Sequence, residues 1–402
     1  MESIRELYRS GVGPSSSHTM GPRKAAEIFR QRYPDAHRYR VTLFGSLAAT
    51  GKGHLTDRAV YAPLSPIPTE IVWQPDQQLP LHPNGLRFEA LDPQNTVAAL
   101  WEVYSVGGGA LREAGTAPAA QAVYDLHTLA DILAQCELTG HTLWEYVESR
   151  EGADIWPFLR EVWQTMSAAI ERGLRAEGVL AGGLGLQRKA WAFYRKASMS
   201  STHLKRLGTL SAYALAVSEE NASGGVVVTA PTCGSAGIVP AVLRYLQENV
   251  DNHEEGILRA LATAGLIGNL AKHNASISGA QVGCQGEVGV ACAMAAGAAA
   301  QFLAGTVRQV EYAAEMGLEH HLGLTCDPVA GLVQIPCIER NVFAAARALT
   351  CADYALFSDG SHRISFDEVV TVMGQTGRDM SARYRETAMG GLASIYRLRQ
   401  TR

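Results

Sequence analysis

Val288-Gly-Val-Ala-Cys-Ala-Met-Ala-Ala-Gly-Ala-Ala-Ala300 carries no polar side chain, and only Gln301 separates it from Phe302-Leu303-Ala304. Its length approaches the lower limit for a membrane span. It is made mostly of Ala and Gly, however, with few Leu, Ile or Phe to favour lipid, and Glu287 and Arg308 flank it. A helix that is apolar on every side belongs in the middle of a protein. The stretch is therefore expected to be the buried central helix of a closely packed helical domain.

Outward from it, apolar residues recur at three- and four-residue spacing, which predicts helices over 127–135, 142–148, 155–172, 204–219, 236–248, 254–270, 287–304, 306–316, 342–357 and 366–384. Polar, Gly-rich loops at 221–237, 274–286 and 323–336 separate some of them, and loops on a rigid scaffold are where sites are usually built. The front of the chain reads differently. Residues 25–33 look helical, whereas 39–45, 70–73 and 97–106 are rich in Val, Thr and aromatics and look like strands. Pro63, Pro66, Pro68, Pro75 and Pro80 break any long helix there. The expected fold class is α+β: a small N-terminal α/β domain over 1–115, a Gly/Thr/Pro/Ala-rich linker at 115–122, and a mostly helical catalytic domain over 123–402.

With 402 residues, 47% of them apolar, the chain can bury a large core and more than one domain is expected. A net charge of −4 and the lack of a basic cluster with interleaved aromatics argue against a nucleic-acid or anionic-membrane partner. Met1 to Leu7 lacks the apolar core of a signal peptide. Seven cysteines, an odd number without framework spacing, fit free thiols in a reducing compartment, so a cytoplasmic protein is expected.

Four constellations carry chemistry. Gly11-Val-Gly-Pro-Ser15-Ser16-Ser17-His18-Thr19 makes a turn whose serines enter a helix, where hydroxyls and free N–H groups cap the helix or hold an anion. His54, in Gly51-Lys-Gly-His-Leu-Thr-Asp57, is a candidate general base because an imidazole titrates near neutrality; a structural loop histidine is the plainer alternative. Lys52 is not part of a phosphate-cradling loop. Thr229-Ala-Pro-Thr-Cys233-Gly-Ser-Ala-Gly237 follows a strand-like Val226-Val-Val228, so its amides could hold a carboxylate and Cys233 could have a lowered thiol pKa. The fourth is a cysteine set. Cys136, Cys292 and Cys351 sit in helical patterns and read as buried thiols. Cys284, Cys326 and Cys337 lie in Gly- and Pro-punctuated loops with more charged and amide neighbours than a core tolerates unpaired. Three converging thiolates would be one ligand short of a closed site, which is what a catalytic metal centre needs. Their spacing alone, without Cys-x-x-Cys, is a weak metal signal and leaves inert thiols the plainer reading.

Gly13-Pro-Ser-Ser-Ser-His-Thr19, Gly51-Lys-Gly-His-Leu-Thr-Asp57, Leu81-His-Pro-Asn-Gly85, Asn274-Ala-Ser-Ile-Ser-Gly-Ala280, Gly283-Cys-Gln-Gly-Glu-Val-Gly289 and the stretch from Cys326 to Asn341 together resemble the single-chain iron–sulfur L-serine dehydratases, over nearly the whole chain. The resemblance implies an N-terminal domain like an allosteric substrate-binding domain and a helical catalytic domain. It also implies a [4Fe–4S] cluster on Cys284, Cys326 and Cys337, with its fourth iron free to act as a Lewis acid on L-serine. Water is then lost by β-elimination, and the aminoacrylate hydrolyses to pyruvate and ammonia. By the same resemblance His54 is the first choice for the base that takes the α-proton, with His18 second. Ser15, Ser16, Ser17 and Thr19 of the turn and Asn274, Ser276 and Ser278 of the 274–279 loop would hold the carboxylate and ammonium. Small-molecule L-serine is the expected partner and a homodimer the expected assembly.

There are two departures. Relatives often end in a cysteine that folds back onto the cluster, whereas Tyr396-Arg-Leu-Arg-Gln-Thr-Arg402 has none. Only 24 residues separate Asp57 from His82, so the first domain is abbreviated. Two other classes stand beside this reading: a pyridoxal-phosphate dehydratase with Lys272 as its Schiff-base lysine, and a non-catalytic amino-acid sensor.

Overall fold

The computed structural model describes residues 1–113, 115 and 122–400; the linker expected at 115–122 lies, its two end residues apart, outside them. The front of the chain forms β1 (Ser10–Val12), α1 (Gly21–Arg32), β2 (Arg38–Phe44), α2 (Gly45–Thr50), α3 (Thr56–Leu64), β3 (Thr69–Gln74), β4 (Gly85–Leu91), β5 (Val97–Ser105) and β6 (Leu111–Glu113). Five strands make one sheet in the order β3-β2-β4-β5-β6. Strands β2 and β3 run parallel, joined by α2 and α3, and the other pairs are antiparallel.

Alternation decides which face of this sheet is covered. Tyr39, Val41 and Leu43 of β2 and Leu86, Phe88 and Ala90 of β4 point to one side, where Ala25, Ala26 and Phe29 of α1 and Val60 and Leu64 of α3 close over them. On the other side Arg40 pairs with Glu70 and Glu89, and Arg87 with Glu102. The strands expected at 39–45, 70–73 and 97–106 are present, and the helix expected at 25–33 starts four residues earlier. As expected of the prolines, no long helix forms there: α3 carries Pro63 in its last turn and stops one residue later.

The remainder is helical: α4 (Leu129–Thr139), α5 (Leu143–Glu151), α6 (Ile155–Arg175), α7 (Ala190–Ser198), α8 (Thr202–Ala222), the short strand β7 (Val226–Val228), α9 (Ile238–Asn249), α10 (Glu254–Asn274), α11 (Gly279–Val282), α12 (Val288–Phe302), α13 (Val307–Glu319), α14 (Cys337–Phe357), α15 (Phe366–Asp379) and α16 (Gly391–Gln400). Helix α12 is the expected central helix, buried from Val288 to Ala300 and surrounded by α9, α10, α13 and α14. Small residues permit this. A Cβ on Gly317 of α13 would come within 2.9 Å of the Ala293 backbone, and one on Gly297 within 2.2 Å of Ile267 in α10. No single described helix is long and apolar enough to cross a membrane; the turn at 279–285 and α12 together reach the length only as a pair bent by 53°.

The two regions share their first residues. Strand β1 pairs antiparallel with β7, and Ile4, Leu7 and Tyr8 are buried in the helical core, with the Tyr8 hydroxyl donating to Leu261 O at 2.9 Å. The Ser15–Thr19 turn follows this ribbon directly, so it is held between sheet and bundle.

Because Gly317 rests on backbone rather than on a yielding side chain, Gly317→Val should lower unfolding free energy by about 1–3 kcal/mol, the usual cost of overpacking. Chemical denaturation checks this; an unchanged midpoint would show that α12 and α13 are not in backbone contact.

Candidate functional site

Ser15 stands in extended backbone, and its hydroxyl accepts from the His18 N–H at 3.0 Å, capping one π-type turn over Ser16–Met20 that leads into α1. His18 is thereby buried and pointed at α2. His54 arrives from the loop between α2 and α3, and its ring lies 4.5 Å from that of His18. Two threonines cross-brace the pair: Thr19 Oγ1 donates to His54 O at 2.7 Å, and Thr56 Oγ1 donates to His18 O at 2.6 Å. Gly53 is needed here, since a Cβ would lie 2.5 Å from Gly331 O in the loop between Cys326 and Cys337.

Hydrogen bonds assign the tautomers. The Ser46 hydroxyl donates to Glu386 O at 2.7 Å, so it can only accept from His18 Nε2–H at 3.1 Å. His18 Nδ1 then accepts from Ser17 Oγ–H at 2.9 Å. Both ring nitrogens of His18 are committed. His54 Nδ1 must donate to Thr50 O at 3.0 Å, which leaves Nε2 as a bare lone pair. Glu386 Oε1 stands 3.9 Å from it, beyond hydrogen-bond reach. Burial, its largest cause, brings His54 down to about 4, so the ring is neutral at pH 7 and able to accept a proton. Burial, then His54 itself, also lowers His18. Of the two histidines, His54 is the one equipped as a base.

Glu386 is the residue that sequence reasoning missed. It follows the turn over Ala382–Tyr384, with φ of 57°, and its segment is latched to the cysteine loop. Cys326 N donates to Tyr384 O at 2.7 Å, and Glu386 N donates to Cys326 O at 2.8 Å. The carboxyl is carried to 3.4 Å from His18 Nδ1.

Beside it the three cysteines gather. The thiol of Cys326 donates to the sulfur of Cys284, and Cys337 lies within electrostatic reach of Cys284. The Cys326 hydrogen bond, then Arg340 working against burial, lowers Cys284 to about 6. Cys326 is raised as the donor, and burial raises Cys337. Arg340, its Nη1 donating to Thr325 O at 2.7 Å, reaches all three sulfurs. Glu287 accepts from Thr232 Oγ1 at 2.8 Å, and its other oxygen lies 3.7 Å from Cys326 Sγ; burial, then Cys284, raises it to about 8. The expectation that all three cysteines lie in loops is corrected in one place. Cys337 is the first residue of α14, five residues before the helix expected at 342–357. Cys136, Cys292 and Cys351 lie in helices as expected.

The other expected residues divide. Ser15, Ser16, Ser17 and Thr19 are buried around His18. Ser278 is buried with its hydroxyl unpartnered, and Ser276 Oγ is bound to Gln281 at 2.6 Å. Asn274 ends α10, exposed, with its amide donating to His127 O at 2.8 Å; nothing ties it to the cysteines or histidines. Cys233 does not have the depressed pKa expected of it. Burial raises it, and its thiol faces Met20 Sδ at 3.3 Å. Lys272 is committed to an ion pair with Glu2 at 2.8 Å, which leaves it poorly placed as a Schiff-base lysine. Among the unpartnered buried polar atoms, His82 Nε2 and Glu386 Oε2 belong to side chains that act on His18. Such atoms mark a place for water or ligand.

Two buried thiols in contact, a nearby third, and a neutral histidine with a free lone pair make up a polar candidate site drawn from the α/β and the helical regions. The family comparisons cover both parts: the serine dehydratase beta chain matches 3–68 and 66–116, and the serine dehydratase alpha chain matches 100–393. The chain belongs to the L-serine dehydratase family. It is 43% identical to an L-serine dehydratase of Streptomyces coelicolor over 446 aligned positions, covering 97% of this chain and 98% of the relative. L-serine dehydratase 1 of Escherichia coli is 41% identical, covering 98% and 99%. That of Helicobacter pylori is 37% identical, covering 97% and 98%. The beta-chain match breaks at 66–68, inside the stretch between Asp57 and His82 read as abbreviated.

The tautomer assignment is testable by nitrogen NMR of histidine-labelled protein. His54 should stay neutral, with its proton on Nδ1, from pH 5 to pH 8; a ring titrating near 6.5, the ordinary value, would contradict it.

Proposed function

We propose that this chain is a lyase that deaminates L-serine to pyruvate and ammonia by β-elimination of water, with a [4Fe–4S] cluster on Cys284, Cys326 and Cys337. Membership of the L-serine dehydratase family supports the reaction. The observation that carries the site is the bare lone pair of His54, 3.9 Å from the Glu386 carboxyl that in turn acts on all three cysteines.

The donor set suits such a cluster. Cys284 and Cys326 are hydrogen-bonded, Cys337 lies within electrostatic reach, Cys284 is lowered towards its thiolate, and Arg340 would offset the charge. Among the described residues no three His, Cys, Asp or Glu side chains close around a single ion, whereas a cube is held at separate corners. When bound, a cluster with one iron lacking a protein ligand would supply a Lewis acid for the substrate carboxylate and β-hydroxyl.

The chain's own residues do the rest. His54 Nε2 takes the α-proton, and its Nδ1–H stays on Thr50 O, which fixes the ring. His18 positions: its ring, committed at both nitrogens, forms the wall against which His54 packs. Ser16 of the turn and Ser278, whose hydroxyl is unpartnered, would offer hydroxyls to the substrate carboxylate. Burial of the whole assembly excludes water until product forms.

A homodimer belongs to this reading. Helix α14 turns Phe343, Tyr354 and Phe357 outwards, 60–95% exposed, an apolar stripe that a second copy would cover. A cytoplasmic setting is supported by seven cysteines that are all free thiols, and a net charge of −4 gives nucleic acid no basic surface.

Enzyme purified without air should contain iron and sulfide in equal amounts and form pyruvate from L-serine, while Cys326→Ala should contain neither and form none. Full activity in Cys326→Ala, or serine binding without pyruvate, would overturn the proposal. His54→Gln should keep its iron and lose about 10²–10⁴-fold in kcat, the usual contribution of a general base; a loss of that size in KM with kcat intact would assign His54 to binding instead.

A further inference from the structure

We infer that Glu386 is a substrate-binding residue that receives the α-ammonium group of L-serine on its Oε2 atom. The inference rests on the L-serine reading above and assigns a role to a carboxyl that the reading leaves unused.

The two oxygens of Glu386 are not equivalent. Oε1 faces the histidines, 3.4 Å from His18 Nδ1 and 3.9 Å from His54 Nε2. Oε2 is buried with no hydrogen-bond partner among the described residues. The Ala280 N–H acts on this carboxyl from the neighbouring turn, yet Oε2 is left without a hydrogen-bond partner. A buried carboxyl oxygen without a partner marks a place for a donor from a ligand. An ammonium group, with three N–H donors and a positive charge, is the best match.

The position fits the chemistry. The carbon that loses its proton to His54 is the carbon that carries the ammonium group, so an ammonium receptor must lie beside the base. Glu386 does, across 3.9 Å. Glu287, the other buried carboxyl, does not compete, because Thr232 Oγ1 donates to one of its oxygens and Cys326 Sγ lies 3.7 Å from the other. Gly279 leaves the space open: a Cβ there would stand 2.6 Å from Glu287 Oε2 and 3.3 Å from Glu386 Oε2. The latch of the Glu386 backbone onto Cys326 fixes the carboxyl relative to the cysteine loop, so the ammonium end of the substrate is registered against its hydroxyl end.

The test compares two ligands on the anaerobic holoenzyme and on Glu386→Gln, which preserves shape and the backbone latch. One is L-serine, read as KM. The other is 3-hydroxypropanoate, which has the carboxylate and hydroxyl but no amine, read as a competitive inhibition constant. Glu386→Gln should weaken L-serine by about 10–100-fold, the loss expected for one charge-assisted hydrogen bond, and leave 3-hydroxypropanoate within about 3-fold. Equal weakening of both would make Glu386 merely structural, and no weakening of either would remove it from the site. If Glu386→Gln does not retain wild-type iron content, Glu386→Asp, which draws the carboxyl back by one methylene, carries the same comparison. Pyruvate formation by the unmodified enzyme tests the L-serine reading separately, so failure of the one is distinguishable from failure of the other.

Discussion

Two backbone hydrogen bonds hold the site together: Cys326 N to Tyr384 O at 2.7 Å, and Glu386 N to Cys326 O at 2.8 Å. They form a one-residue parallel bridge between Cys326 and Arg385 within the mostly helical region. Through it a segment near the C-terminus is registered against the cysteine loop, and Ser46 Oγ, donating to Glu386 O, ties that segment to α2 of the first region. The Asp327 carboxylate adds a second anchor by accepting from Leu392 N at 2.7 Å. Histidines, thiols and carboxyls come from four distant parts of the chain, and this short bridge is where three of them are keyed to one another.

The bridge holds because its surroundings are rigid. Cys337 starts α14, and α14 packs on the buried α12, whose Ala and Gly residues let neighbouring backbones approach closely. Close-packed interiors of this kind have low compressibility. The histidine side is braced independently by the Thr19 and Thr56 cross-bonds. Each half of the site is thus stiff by itself, and the space between them, lined by unpartnered polar atoms, is left for a ligand.

Much of this was legible in the sequence, and the exceptions have physical causes. The central helix was readable because an uncharged Ala/Gly run has no other stable place in a soluble fold. The cysteine loops and the two histidine motifs stood out because Gly and Pro surrounded residues that a core would not tolerate. Strand β4 shows alternation, with Leu86, Phe88 and Ala90 inward and Arg87 and Glu89 outward, but its charged residues masked it. Strands β1 and β6 have three residues each, too few for any period to show. Cys337 was taken as a loop residue although Pro336 before it is a helix-start signal. Glu386 had no local signal: an acid among Arg383, Arg385 and Thr387 reads as a solvated helix end, and its partner Ser46 lies 340 residues away. Asn274 illustrates the reverse, a motif residue whose side chain turns outward to cap another segment.

The account rests on Cys284, Cys326 and Cys337 sharing one four-iron cluster that leaves a single iron to the substrate. Mössbauer spectroscopy of anaerobic enzyme enriched in iron-57 tests this most directly. The account predicts one iron distinguishable from the other three, and a change confined to that one when L-serine is added. Four irons that respond alike, or none that respond, would contradict it.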